Sequence, residues 1–188
     1  MPGKSLNLRP DAWRDHIPHA GAMALIERVH GFDADSIHAE SDNHRDPAHP
    51  LRHDGRLHAI HLCEYGAQAM AVHGALCASA AFQAAAADAG SPANNIPRPG
   101  LLTALRDVQL HVERIDELPG PLAIRAQRQH ADQRAWLYGF QVHHGEQLLA
   151  SGRAMVVLEA APAGQGQAGL DQSGLAQSAL AVPGTDKK

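Results

Sequence analysis

The sequence predicts an α+β fold in which one curled, mainly antiparallel sheet wraps around a single long central helix. Three observations predict it. Residues 65–87 contain no Asp, Glu, Lys or Arg, so one helix-length run is apolar on every side and must be covered all round. Two strand-like segments precede that run and a series of strands follows it, an order that segregates helix from sheet. The later segments are joined by turn-forming residues, which suit antiparallel neighbours.

The elements follow in order. Pro10 or Asp11 can open a short helical turn through Trp13. Residues 23–30 read as a strand, Gly31 to Asp35 as a turn, and residues 36–42 as a second strand. Residues 43–57 form a polar, His-rich loop. Residues 58 to about 87 make the helix, which "AGSPANNIPRPG" (89–100) ends. A helix of some 25 residues is about 37 Å long. The next strand, "LLTALRDVQLHVERI", places Leu102, Ala104, Val108, Leu110 and Val112 close to period two. "GPLAIRAQRQH" alternates through Leu122, Ile124 and Ala126, and "AWLYGFQVHHG" through Trp136, Tyr138, Phe140 and Val142 or the complementary set. His144-Gly145-Glu146 makes a hairpin into "QLLASGRAMVVLEA", which closes the sheet. Residues 1–16 form an N-terminal segment and 17–159 the domain. Residues 160–188, rich in Ala, Gly and Gln, lack periodicity and read as a disordered tail. One sheet cannot cover the whole circumference of the helix, so a dimer is expected to bury the remainder.

Composition narrows the partners. A net charge of −4 with only 16 Lys and Arg argues against a nucleic-acid binder. Cys63 and Cys77 on one helix lie about 21 Å apart, beyond disulfide reach, and read as reduced thiols of a cytoplasmic protein. The N-terminus has no apolar signal core, and the Ala-rich 65–87 run is too weakly hydrophobic for a membrane span. No Gly-rich phosphate loop or G-x-S-x-G elbow is present.

Glu64 is the first candidate for chemistry. A carboxyl group desolvated among Leu62, Cys63 and Ala67 has its pKa raised and can serve as a general acid. Equally, a charge near the helix N-terminus suits the dipole. Gln68, one turn on, can hydrogen-bond the carboxyl group. His49, held between Pro47 and Pro50, can serve as a general base or be a surface histidine. His58 and His61 share a helical face, but Cys63 and Glu64 point elsewhere. Two ligands fall short of a zinc site unless His44, His49 or His53 joins them.

"IPHAGAMALIERV" (17–29), "SDNHRDPAHP" (41–50), "EYGAQAM" (64–70) and "LRDVQLHVERIDELPGPL" (105–122) resemble the 3-hydroxyacyl-ACP dehydratases of the hotdog fold, ACP being acyl carrier protein. The closest likeness is to the dehydratase-like proteins of aryl polyene and related pigment clusters. The resemblance implies that His49 removes the C2 proton of the acyl thioester and that Glu64 protonates the departing C3 hydroxyl. The two would meet across a dimer interface. It places Ala59, through its backbone N–H, and Gln68 on the substrate side, and it implies no metal or organic cofactor. This chain departs from the family at Ala59, where Gly is usual, at His58, where Pro is usual, and in the missing aromatic after His49. His44 and His53 therefore compete for the base. The implied partners are acyl carrier protein, met through Arg45, Arg52, Arg56 or Arg98, and a second hotdog subunit, identical or not. The rival expectations are a hotdog thioesterase, an inactive subunit supporting a partner dehydratase, and a metal-binding protein.

Overall fold

A computed structural model of the chain describes residues 7–87 and 100–158, with 81–87 described as backbone only. The expected tail, Arg98 and most of the 89–100 loop lie outside these residues. Helix α1 spans Leu62–Ala87 and is preceded by a 3-10 turn, Ala59–His61. The strands are β1 (Arg28–Phe32), β2 (Ser36–Ser41), β3 (Gly100–Leu110), β4 (Leu122–Ala131), β5 (Ala135–His144) and β6 (Gln147–Leu158). They form one antiparallel sheet in the order β1-β2-β4-β5-β6-β3. The helix packs on β2, β4, β5 and β6. This is the expected helix within a sheet, and every expected strand is present.

The alternation in β4 and β5 comes out as read. Leu122, Ile124 and Ala126, then Tyr138, Phe140 and Val142, face the helix and are buried. Phe140 packs tightly between the helix and the sheet. A Cβ on Gly66 of α1 would stand 2.7 Å from its ring, and one on Gly152 of β6 would stand 2.7 Å from the ring's other edge.

Two elements differ from expectation. β1 begins at Arg28 rather than Met23 because side chains, not a neighbouring strand, hold the lead-in. Gln68 accepts from the Leu25 N–H (2.8 Å) and donates to the Met23 carbonyl (2.8 Å), and Asn43 donates to the Leu25 carbonyl (3.1 Å). In β3 the apolar residues are not buried. The strand lies at the sheet edge, clear of the helix, and leaves Leu101 65% exposed, with Leu102, Leu105 and Leu110 also exposed.

Candidate active site

Glu64 heads a stripe of small residues. Ala67, Ala71, Gly74 and Ala78 follow it at helical spacing, and all are half-buried. Small side chains leave room, and a cavity of about 860 Å³ runs along this face. Its other walls come from His16–His19, from Leu101 and Leu102 of β3, and from Trp136, Tyr138 and Val156. From Glu64 to Ala78 the helix rises about 21 Å. The cavity is long and mainly apolar along α1, with Glu64 at the head of the helix face, a shape that suits an extended acyl chain.

The Glu64 carboxylate is not stranded in apolar surroundings. The His19 Nε2 lies 3.2 Å from its Oε1, and Gln68 donates to the same oxygen at 2.8 Å. The imidazole beside it holds the carboxyl below its ordinary pKa, against the opposing effect of desolvation, with Gln68 adding to the lowering. The expectation of a raised pKa from apolar neighbours is thereby corrected. The N-terminal segment folds back over the start of α1 and brings a partner 45 positions away in sequence. Gln68 is fully buried with its amide committed to Met23, Leu25 and Glu64. It clamps the acid to the lead-in of β1.

His49 sits elsewhere. It is 5% exposed and does not line the cavity of its own subunit. Its Nδ1 accepts from the Leu51 N–H at 3.2 Å, so its Nε2 carries the proton and donates to the Tyr65 hydroxyl at 3.1 Å. Tyr65 in turn donates to Asn43 Oδ1 at 2.7 Å. Burial lowers the His49 pKa and keeps the ring neutral. Within one subunit the structure therefore does not bring His49 and Glu64 together. His44 is fully buried against the Leu118 carbonyl (3.1 Å), and His53 is exposed on the loop beside Asp54. Ala59 is buried and its N–H donates to the Glu113 carbonyl at 2.9 Å. The thioester role drawn for that amide is taken by the protein itself, and Ile60, 53% exposed, is the next amide in the turn.

Among the described residues, no three His, Cys, Asp or Glu side chains converge as metal ligands. His58 and His61 stay apart from Cys63 in that respect. Arg52 is not a docking cation. Its guanidinium binds the carbonyls of Asp46 and Gly55 and the Asp116 carboxylate, tying residues 44–57 to the turn after β3. Arg45 pairs with Asp42, and Arg56 remains exposed. His19, Tyr65 and Asn43 carry interactions that sequence reasoning gave no role. A tyrosine next to the acid in an otherwise apolar helix, and a histidine after Pro18, were the available signals.

The family model described as ApeP dehydratase matches residues 12–165. No curated protein sequence matches the chain. Among solved structures, the dehydratase heterocomplex ApeI:P from Xenorhabdus doucetiae matches with a TM-score of 0.60 and 21% identity, over 81% of this chain and 92% of that one. The thioesterase HI1161 from Haemophilus influenzae matches at TM-score 0.47 and 13% identity, over 71% of this chain and 78% of that one. The PaaI protein of E. coli, from a phenylacetic acid degradation operon, matches at 0.47 and 11%, over 69% and 80%.

Proposed function

The chain belongs to the ApeP-like dehydratase family and has the hotdog fold, and on that premise we propose that it dehydrates a 3-hydroxyacyl thioester on acyl carrier protein to the trans-2-enoyl thioester. The observation that carries this reading is Glu64 at the head of a long apolar cavity lined by small residues of α1. The thioester end of the substrate lies at Glu64 and the acyl chain runs toward Ala78. Glu64 protonates the C3 hydroxyl as it leaves. In a homodimer His49 of the second copy takes the C2 proton, for which its Nδ1 must release the Leu51 N–H; in a heterodimer the base that meets Glu64 is the partner's own. Arg56 is the exposed loop cation left for an acidic carrier. The setting is a cytoplasmic pathway that builds fatty-acid-like chains or polyene and polyketide pigments.

The second subunit docks on the β3 edge. An edge strand with unpaired backbone groups and exposed Leu101, Leu102, Leu105 and Leu110, flanked by Met155 and Val157, is an association surface. The ApeI:P neighbour is a heterocomplex, which supports a non-identical partner here.

The test is product analysis with a 3-hydroxyacyl thioester. Enoyl thioester without free thiol supports the reading, and free thiol signals hydrolysis instead. Glu64→Gln is expected to lower turnover by about 10²-fold or more with the fold kept, because an amide is a poor proton donor. One observation favours a second reading, that of a supporting subunit: both ring nitrogens of His49 and the Ala59 N–H are used internally. Purified protein that is inert alone but forms a stable heteromer with a second hotdog protein would favour it.

A further inference from the structure

His19, whose side chain is 27% exposed, differs from the buried His49 and His73; like His44 it leaves its Nδ1 unpartnered, but of those two only His19 lines the cavity. His49 uses both ring nitrogens, and so does His73, whose Nδ1 meets the Tyr138 hydroxyl at 2.8 Å and whose Nε2 meets the Asp33 carbonyl at 3.0 Å. Those are the marks of packing residues. His19 uses one nitrogen, and it uses it on the acid. Its Nε2 faces Glu64 at 3.2 Å, while its Nδ1 is buried with no partner. Both residues line the cavity. Gln68 donates to the same carboxylate oxygen, and no hydrogen bond reaches Glu64 Oε2 from the described residues. That oxygen is the one left for substrate.

We propose that His19 is a positioning residue that forms a single proton-holding pair with Glu64 inside one subunit, and that the proton given to the departing hydroxyl comes from this pair. The inference rests on the dehydratase reading. In the step, the C3–O bond breaks with its electrons on oxygen, and the proton of the pair completes a water molecule. The base takes the C2 proton, and the electrons of that C–H bond become the C2–C3 double bond. The pair is then reprotonated from solvent. An ionised glutamate alone cannot protonate a hydroxyl. A glutamate beside a protonated imidazole can, because the imidazolium replaces the proton as it leaves. The other titratable group that acts on Glu64 is His61 in the 3-10 turn; the remaining charged or titratable groups of the cavity lining are Asp15 and His16 in the N-terminal segment, Cys77 on α1, and Arg128 and Tyr138 on the sheet.

The experiment compares the full chain with His19→Gln, whose amide nitrogen takes the place of Nε2, and with His19→Asn should the first fail to fold. Two readouts are taken: the pH profile of kcat on a 3-hydroxyacyl thioester, and titration of the Glu64 carboxyl carbon by NMR. The variant keeps a hydrogen-bond donor but no titratable group. We expect kcat at neutral pH to fall about 10²-fold. The alkaline limb should move down by about one pH unit or more as control passes from an imidazole to a carboxyl group. The Glu64 carboxyl should titrate at higher pH than in the wild type, having lost its cation. A lower kcat with an unmoved limb and an unmoved carboxyl titration would reduce His19 to a structural residue and overturn the proposal. If the wild type makes no enoyl product, the dehydratase reading fails by itself, and the carboxyl titration alone decides whether the pair exists.

Discussion

A hydroxyl one residue beyond the acid governs how His49 can behave. Tyr65 accepts the His49 proton and donates to Asn43, which holds the Leu25 carbonyl. The chain of bonds runs from the 43–57 loop through α1 to the lead-in of β1. Tyr65→Phe leaves the His49 N–H without an acceptor in a buried place, which costs about 1–3 kcal/mol. In a double-mutant cycle with His49→Ala, measured by chemical denaturation, the two losses should fall short of additive by about 1 kcal/mol. Strict additivity would show that the two side chains do not depend on each other. The same scale shows what sequence could and could not reveal about the site. Glu64, Gln68 and His49 stand out as polar groups in or beside an apolar helix. What each one touches depends on chain segments tens of residues away. The His19 contact with Glu64, the Gln68 clamp on residues 23–25 and the internal use of the Ala59 amide are tertiary facts with no local signature.

At the scale of elements, the helix was legible because an uncharged run has few alternatives, and β4 and β5 were legible because one face of each is buried. β3 gave the same alternating signal without the burial. At the sheet edge its apolar residues are exposed, and periodicity within one chain does not distinguish an edge strand from a buried one. The fit of helix to sheet also escapes a one-dimensional reading, since it turns on two glycines facing one phenylalanine. Gly66→Ala would place a methyl 2.7 Å from the Phe140 ring, whose other edge packs near Gly152, so the ring must shift to admit it. Overpacking of this kind costs about 1–3 kcal/mol, set against roughly 1 kcal/mol gained in helix propensity. The expected outcome is a lower thermal midpoint. Gly74→Ala is the comparison, with its nearest contact, the Trp136 ring, at a milder 3.3 Å, and it should lower the midpoint less. A rise for Gly66→Ala would mean that the helix stands off the sheet.

The whole molecule carries 14 histidines, and the burial of three of them makes its stability depend on pH near neutrality. His44, His49 and His73 are buried, and desolvation lowers the pKa of each. The sign follows from linkage. Below the unfolded-chain value of about 6.5, the unfolded state binds protons that the folded state still refuses, so acidification favours unfolding. The stability these groups contribute is present above that value and is lost as pH falls toward their folded values. Three histidines held neutral would give a slope of up to about 4 kcal/mol per pH unit below the unfolded value. Carboxylates alone would place the main loss at lower pH. Asp116, with its pKa driven down by Arg114 and by the Leu57 amide, adds its own loss only in that lower range. Denaturation free energies measured from pH 7.5 to 5 should therefore fall steeply from about pH 6.5, well before the carboxylates titrate. Replacing His73, which sits away from Glu64 and His49, with Gln should flatten that slope by about one proton's worth, roughly 1.4 kcal/mol per pH unit. A flat profile down to pH 5 would mean that these three rings protonate in place, and that the buried hydrogen bonds of His49 and His73 do not hold them neutral.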